Sequence, residues 1–308
     1  MLKKAVTLLI LTAVCIHANA QGWKFDPRVG GIQEKMANST IKLDIVKPIG
    51  KWTGTGIFFH FYNGKNPSRQ IQVVITARHL IENALSVAMV WPTKTNDKSM
   101  APARENDKSM APAREKIAYT KDNIRIESHP DKTNDLCAII VSHAVCELRN
   151  KGKEPAFFSF DTSVLADDDF YAKERQLDPV VMIGYPVGLM DEVNLQPFFR
   201  RGVYATNPSL DYMGRKEFLL DIPNNGGSSG SPVFHFDEKM YNDRTGGGAS
   251  ITIGSRLVMV GLSFDGVDPT SNAKSAVAIT GPANNTAWII KATRIRELGE
   301  AMVAKYLR

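Results

Sequence analysis

Apolar and polar positions alternate along much of the chain with the two-residue period of a strand. Ile41-Lys-Leu-Asp-Ile-Val alternates, and Thr53 to Phe61 continues the pattern after a Gly54-Thr-Gly56 opening. Residues 71 to 80 form a β-branched apolar run ending in Thr76-Ala77-Arg78-His79, where a strand gives way to a short helical turn. Stretches at 123–127 and 136–143 read as two more strands and complete a first β unit. After a polar connector at about 147–178, a second series opens with Val180-Val-Met-Ile-Gly-Tyr-Pro186. It continues at Arg201 to Thr206, Glu217 to Asp221, Pro232 to Phe236, Ser255 to Phe264 and Ala276 to Thr280. Short strands punctuated by Gly and Pro predict an all-β barrel or sandwich. The period changes in the tail from Ala287 to Arg308, where Ile295, Leu298, Met302 and Tyr306 share one face of an amphipathic helix. Residues 21–40 read as an irregular lead-in.

The first residues change the picture of where the chain works. Met1-Leu-Lys-Lys, an apolar run from Ala5 to Ile16 and then Ala18-Asn19-Ala20 have the order of a signal peptide, 1–20, cleaved after Ala20. A secreted or periplasmic protein is expected, with no membrane attachment once the signal is removed. Cleavage takes away Lys3 and Lys4 and lowers the formal charge from +6 to +4. That balance is too mild and too scattered to imply a nucleic-acid partner. Of the cysteines, Cys137 and Cys146 remain; export permits a disulfide, but Cys137 sits mid-strand and reads as a buried thiol. With 308 residues, 43% of them hydrophobic, the chain can bury a sizeable core. Asn96 to Glu105 recurs unchanged at 106–115, a single tandem copy that is too short for a solenoid. Pro102 and Pro112 oppose a strand there, so the pair reads as a duplicated surface loop.

The candidate chemistry centres on residues 224–234, Asn-Asn-Gly-Gly-Ser-Ser-Gly-Ser-Pro-Val-Phe. Gly226, Gly227 and Gly230 leave room for another backbone beside Ser229. Ser229 is the candidate nucleophile, and the N–H groups of Gly227 and Ser229 are the candidate oxyanion hole. Such a loop by itself is an ordinary turn. A serine nucleophile also needs a base and an orienting acid. His79, at a strand end, and Asp135, just ahead of the apolar Leu136-Cys-Ala-Ile-Ile, supply both residue types. Ser228 reads as a loop residue turned away, and Ser231 as packed beneath the loop. Gly227-Ser-Ser-Gly-Ser231 departs from the Gly-x-Ser-x-Gly elbow, and no zinc-type or phosphate-loop motif occurs, so neither metal nor cofactor is expected.

The blocks Thr-Ala-Arg-His79-Leu, His-Pro…Asn-Asp135-Leu-Cys-Ala-Ile-Ile and Gly-Ser-Ser229-Gly-Ser-Pro-Val, in that order, resemble the trypsin-like (chymotrypsin-fold) serine peptidases. The serine block looks most like the bacterial branch that includes secreted glutamyl endopeptidases. The resemblance covers roughly residues 50 to 266 and implies two antiparallel β-barrels followed by a C-terminal helix. The corresponding division is 21–150 for a barrel carrying His and Asp, 151–178 for a connector, 179–286 for a barrel carrying Ser, and 287–308 for the helix. It implies a Ser229-His79-Asp135 triad acting on polypeptide substrates, whose backbone pairs along Leu262, Ser263 and Phe264. Two features depart from relatives of known preference. Tryptic members carry Asp six residues before the nucleophile, where this chain has Pro223, and glutamyl endopeptidases use a histidine on the strand after it, whereas no histidine follows His235. Asp221 and Asp265 remain as possible contacts for a basic side chain. Arg28-Val-Gly-Gly superficially resembles an animal trypsin activation site, but Ser228 stands where the partner Asp would be, so no switch of that kind is expected. A catalytically silent binding protein on the same fold is the alternative, and a simple-ester hydrolase a third.

Overall fold

The computed structural model describes residues 31–64, 66–95, 113–243, 250–264 and 285–307. The expected signal peptide, the body of the duplicated loop and the strand expected at Ala276 to Thr280 lie outside the described residues. The chain is mostly β, with two antiparallel units and a C-terminal helix.

The first unit opens with helix α1 (Ile32–Asn38), where an irregular lead-in was expected. Its strands are β1 (Thr40–Lys47), β2 (Gly50–Asn63), β3 (Asn66–Ala77), β4 (Ser86–Thr95), β5 (Ala113–Thr120), β6 (Ile126–Ser128) and β7 (Leu136–Ile140). The one-turn helix α2 (Arg78–Ile81) follows β3, and α3 (Ser142–Asn150) and β8 (Lys153–Pro155) follow β7. The sheet runs β5-β4-β1-β2-β3-β7-β6, with β8 on β4. Among the described residues no pairing joins its end strands, so closure is established for the second unit only. Residues Ala113 to Glu115, the end of the second copy of the repeat, form ladder with β4 rather than loop. The core is aromatic where the sheet is covered: Phe58 stacks on Phe157 at 4.0 Å and meets the Trp91 edge at 5.2 Å.

Helix α4 (Asp168–Lys173) lies in the connector, capped by Asp167, whose Oδ1 accepts from the Phe170 N–H at 2.8 Å. The second unit comprises β9 (Pro179–Gly184), β10 (Phe198–Tyr204), β11 (Glu217–Asp221), β12 (Pro232–Asp237), the hairpin β13 (Met240–Asp243) and β14 (Ser250–Ile253), β15 (Arg256–Phe264) and β16 (Thr286–Lys291). Strands β10-β11-β16-β15-β12-β9 close a six-stranded barrel. Residues 287–291, expected as the start of the tail helix, are therefore a barrel strand, and the helix α5 begins at Ala292 and runs to Tyr306. Ile295, Leu298 and Met302 are buried on its expected face. Tyr171 joins these parts, its hydroxyl donating to Val260 O at 2.6 Å and accepting from the Ala292 N–H at 2.9 Å. Phe160, which bridges to Phe59 of the first unit, packs on Phe234 of the second at 5.5 Å.

Candidate active site

Strand register brings His79 to Asp135. Strands β3 and β7 pair antiparallel with Ala77 opposite Leu136, so the residues just after Ala77 and just before Leu136 must meet at the same end of the ladder. There the Arg78 N–H donates to Asp135 O at 3.2 Å and the His79 N–H to Asp135 Oδ1 at 2.7 Å. His79 Nδ1 lies 2.5 Å from Asp135 Oδ2, and because a carboxylate only accepts, Nδ1 carries the proton. The imidazole is 38% exposed and the carboxylate side chain 12%, so the ring faces outward and the acid stays dry behind it. Burial alone would raise the Asp135 pKa. The hydrogen bonds and charge of His79, with the Arg78 charge, outweigh it and hold the carboxyl below the usual aspartate value. Lys47, at the end of β1, donates from Nζ to His79 O at 2.6 Å. Its ammonium pKa is lowered by burial, against the pull of Glu82 and Asp135.

The loop carrying Ser229 is a pair of tight turns, with Ser228 N–H donating to Asn225 O at 3.0 Å and Ser231 N–H to Ser228 O at 2.9 Å. Gly227 (φ 88) and Gly230 (φ 85) take left-handed conformations that suit glycine. A Cβ on Gly230 would stand 1.9 Å from Thr55 O, so close approach as well as dihedral demands glycine there. The loop is clamped on both flanks. On one, the Thr55 N–H donates to Ser229 O at 2.9 Å and Thr55 Oγ1 to Gly227 O at 3.0 Å. On the other, the Gly230 N–H donates to Ser263 O at 2.7 Å and the Ser263 N–H to Ser231 O at 2.8 Å. Thr55 O in turn accepts from Thr76 Oγ1 at 2.7 Å, three residues before His79. The serine loop and the histidine turn thus hang on the same stretch of β2.

These bonds use the amides of Ser228, Gly230 and Ser231 but leave those of Gly226, Gly227 and Ser229 without an acceptor among the described residues. Ser229 is 7% exposed, and among the described residues no hydrogen bond joins its hydroxyl to His79. Catalytic hydrogen bonds often tighten only when substrate is bound. Ser228 turns back into its own loop, its Oγ accepting from the Asn225 N–H at 3.4 Å. Ser231 is buried, its Oγ without a hydrogen-bond partner among the described residues.

Of the residues expected along the substrate, Leu262 is wholly buried and Ser263 has both backbone groups engaged by the serine loop. Pairing of β15 with β12 stops at Leu262, so on that side the strand edge beyond the loop contacts begins at Phe264. Pro223 O accepts from Arg200 Nη1 at 2.5 Å, Asp221 is exposed, and Asp265 lies outside the described residues. His235 is spent elsewhere: it is buried with Nδ1 2.7 Å from Glu174 and Nε2 3.1 Å from Asp237. Lys47 carried no signal of its own in the sequence; Thr76 stood in the Thr-Ala-Arg-His79 block and Thr55 in the Gly54-Thr-Gly56 opening. Neither thiol is in a disulfide, and Cys137 is buried. Among the described residues no helix is long and apolar enough to cross a membrane.

Residues 54–241 match the family model of the trypsin-like peptidase domain. No curated protein sequence matches the chain. Similar solved structures include the protease Anisep from Arthrobacter nicotinovorans, with 14% identity, a TM-score of 0.46 and coverage of 88% of this chain and 98% of that one. Another is a thermostable serine protease from an extremophilic microorganism, with 12% identity, a TM-score of 0.43, and 86% and 97% coverage. A third is an inactivated protease paralogue of the scabies mite, with 11% identity, a TM-score of 0.44, and 88% and 96% coverage.

Proposed function

The chain belongs to the trypsin-like peptidase family, and from that premise we propose that it is an exported serine endopeptidase cleaving polypeptides through Ser229, His79 and Asp135. The observation that carries this reading is that the amides of Gly227 and Ser229, on either side of Ser228, are unengaged on a loop bonded to the same strand segment as the histidine turn. Ser229 Oγ attacks the scissile carbonyl carbon while His79 Nε2 takes its proton. The carbonyl oxygen becomes anionic and accepts from the two amides, each worth about 3 kcal/mol to the transition state. As the C–N bond breaks, His79 returns the proton to the leaving amine. Water, activated by the same base, then splits the acyl-enzyme and restores Ser229. Asp135 holds the Nδ1–H tautomer and stabilises the imidazolium. The acyl half of the substrate pairs its backbone with the β15 edge at Phe264, a contact that is largely indifferent to sequence.

The test is labelling of the purified protein with a fluorophosphonate, beside casein hydrolysis. Ser229→Ala should abolish both and leave the unfolding midpoint in place. Full labelling of that variant would move the nucleophile elsewhere, and a folded wild-type protein that neither labels nor hydrolyses would be the silent binding protein instead. Export predicts that protein recovered outside the cytoplasm begins at Gln21, read by N-terminal sequencing.

A further inference from the structure

The loop that presents Asp135, residues 129–135, is folded around the buried side chain of His129. Its ends are held by the sheet, since Ser128 pairs with Cys137 and the His129 N–H donates to Leu136 O at 2.9 Å. Inside the loop, the Asp131 N–H points at His129 Nδ1 at 3.1 Å, and Asp131 O accepts from the Asn134 N–H at 3.2 Å. Asp131 Oδ1 takes the Thr133 N–H at 3.0 Å and the Thr133 hydroxyl at 2.7 Å. Asn134 is itself buried. A bonded path thus runs from the imidazole through Asp131 and Asn134 to the residue that holds His79.

Only one form of the ring fits this loop. Nδ1 has two backbone neighbours on Asp131, the N–H at 3.1 Å and the carbonyl oxygen at 3.2 Å. A proton on Nδ1 would face that N–H, and the oxygen already accepts from Asn134, whereas a lone pair on Nδ1 satisfies the amide. The proton then sits on Nε2, 3.4 Å from Glu297 Oε2 on α5; a bare Nε2 would set its lone pair against that carboxylate. Arg294 Nη1 donates to the same oxygen at 2.6 Å and holds Glu297 in place. On β6, just ahead of the loop, Glu127 Oε1 accepts from Lys305 Nζ and from the Tyr306 hydroxyl. One helix therefore braces the entry to the loop at two points.

We propose that His129, as its neutral Nε2–H tautomer, is a positioning residue for the acid of the triad, setting the direction of the Asp135 carboxylate, and so of the His79 ring, from outside the cleft. The inference rests on the proposed peptidase reading. Among the described residues no hydrogen bond joins His129 to His79 or Ser229, so its influence passes through Asp135. The serine loop and the β15 edge belong to the second unit, and substrate binding is left alone.

The experiment joins kinetics on a peptide substrate to a double-mutant cycle. His129→Ala should lower kcat by about 10- to 100-fold, the cost of a misplacement on the order of 1 Å, with KM little changed. His129→Asn, whose Oδ1 falls where Nδ1 stands, should recover most of that loss, and His129→Gln, with no acceptor there, should not. In an Asp135→Asn background His129→Ala should bring little further loss, because the group it directs is gone. An equal loss in both backgrounds marks a merely structural residue and overturns the proposal. Nitrogen NMR of the folded wild type at the assay pH needs no variant: a bare Nδ1 and a protonated Nε2 on His129 are expected, and a protonated Nδ1 overturns the proposal as well. A folded wild type that neither labels nor hydrolyses removes the peptidase reading and this role together, whereas an active wild type whose kcat is unmoved by His129→Ala removes this role alone.

Discussion

Asp135 grips His79 twice, accepting from its backbone N–H through Oδ1 and from its ring through Oδ2. The first bond orders the turn and the second sets the tautomer. Asp135→Asn therefore keeps the volume but puts the wrong hydrogen-bonding group against Nδ1. The expected outcome, under the peptidase reading, is a fall in kcat of about 10⁴-fold with little change in KM, measured on a peptide substrate.

The same carboxylate couples stability to pH. Its pKa is lower in the folded protein than the unfolded value near 3.9, so its contribution is fully present above that value. It is lost as pH falls through the depressed folded value. The gap in Tm between wild type and Asp135→Asn should be steady from pH 7 to about pH 5 and shrink below about pH 4. A gap that widens on acidification would contradict the assignment.

Gly230→Ala tests the clamp on the serine loop. The new methyl would meet Thr55 O at 1.9 Å in a left-handed backbone, and β2, which carries Thr55, cannot retreat without breaking its ladder. A loss of about 2 kcal/mol or more is expected in urea unfolding. Fluorophosphonate labelling should slow by more than the stability loss explains, because Ser229 is displaced with the loop.

Tyr171→Phe separates architecture from chemistry. It leaves Val260 O and the Ala292 N–H buried without their partner, at about 1–3 kcal/mol for each unsatisfied group. The urea midpoint should fall while kcat/KM at low temperature is kept.

The thiols should differ in reactivity. Cys137 is wholly buried, and burial, with the Asp135 charge, pushes its pKa far up, so it stays protonated and unreachable. Cys146 is half-buried at the surface helix α3. A native protein treated with iodoacetamide should be alkylated first at Cys146, with Cys137 following at the rate of unfolding, by peptide mass mapping.

How much of this was legible beforehand depended on whether a feature is local. The strands at Ile41, Thr53, Ile71, Val180 and Pro232 carry their pattern in adjacent residues, and the histidine, aspartate and serine blocks each read as a unit. Strand β4 was missed because Pro92 interrupts its pattern. The structure accommodates it where β4 changes partner, from β1 at residues 86–88 to β8 at 93–95. The run Ala287-Trp-Ile-Ile was absorbed into the helix that follows, since a short buried apolar run has no period of its own to distinguish strand from helix. The meeting of Lys47 with the His79 carbonyl depends on the register of β1 and had no signature at all.

The order of the strands along the chain bears on when the barrel can close. Strand β16, inserted between β11 and β15, is the last of its six staves in the chain. Helix α5 follows it and reaches back to the first unit, with Lys305 Nζ 2.7 Å from Glu127 Oε1 and Glu297 Oε2 3.4 Å from His129 Nε2, in the segment leading to Asp135. A nascent chain that has yet to release these residues holds an open barrel and an untethered acid loop. Barrel closure and the bracing of the segment before Asp135 are therefore both late events in synthesis, set by the places of β16 and α5 in the chain.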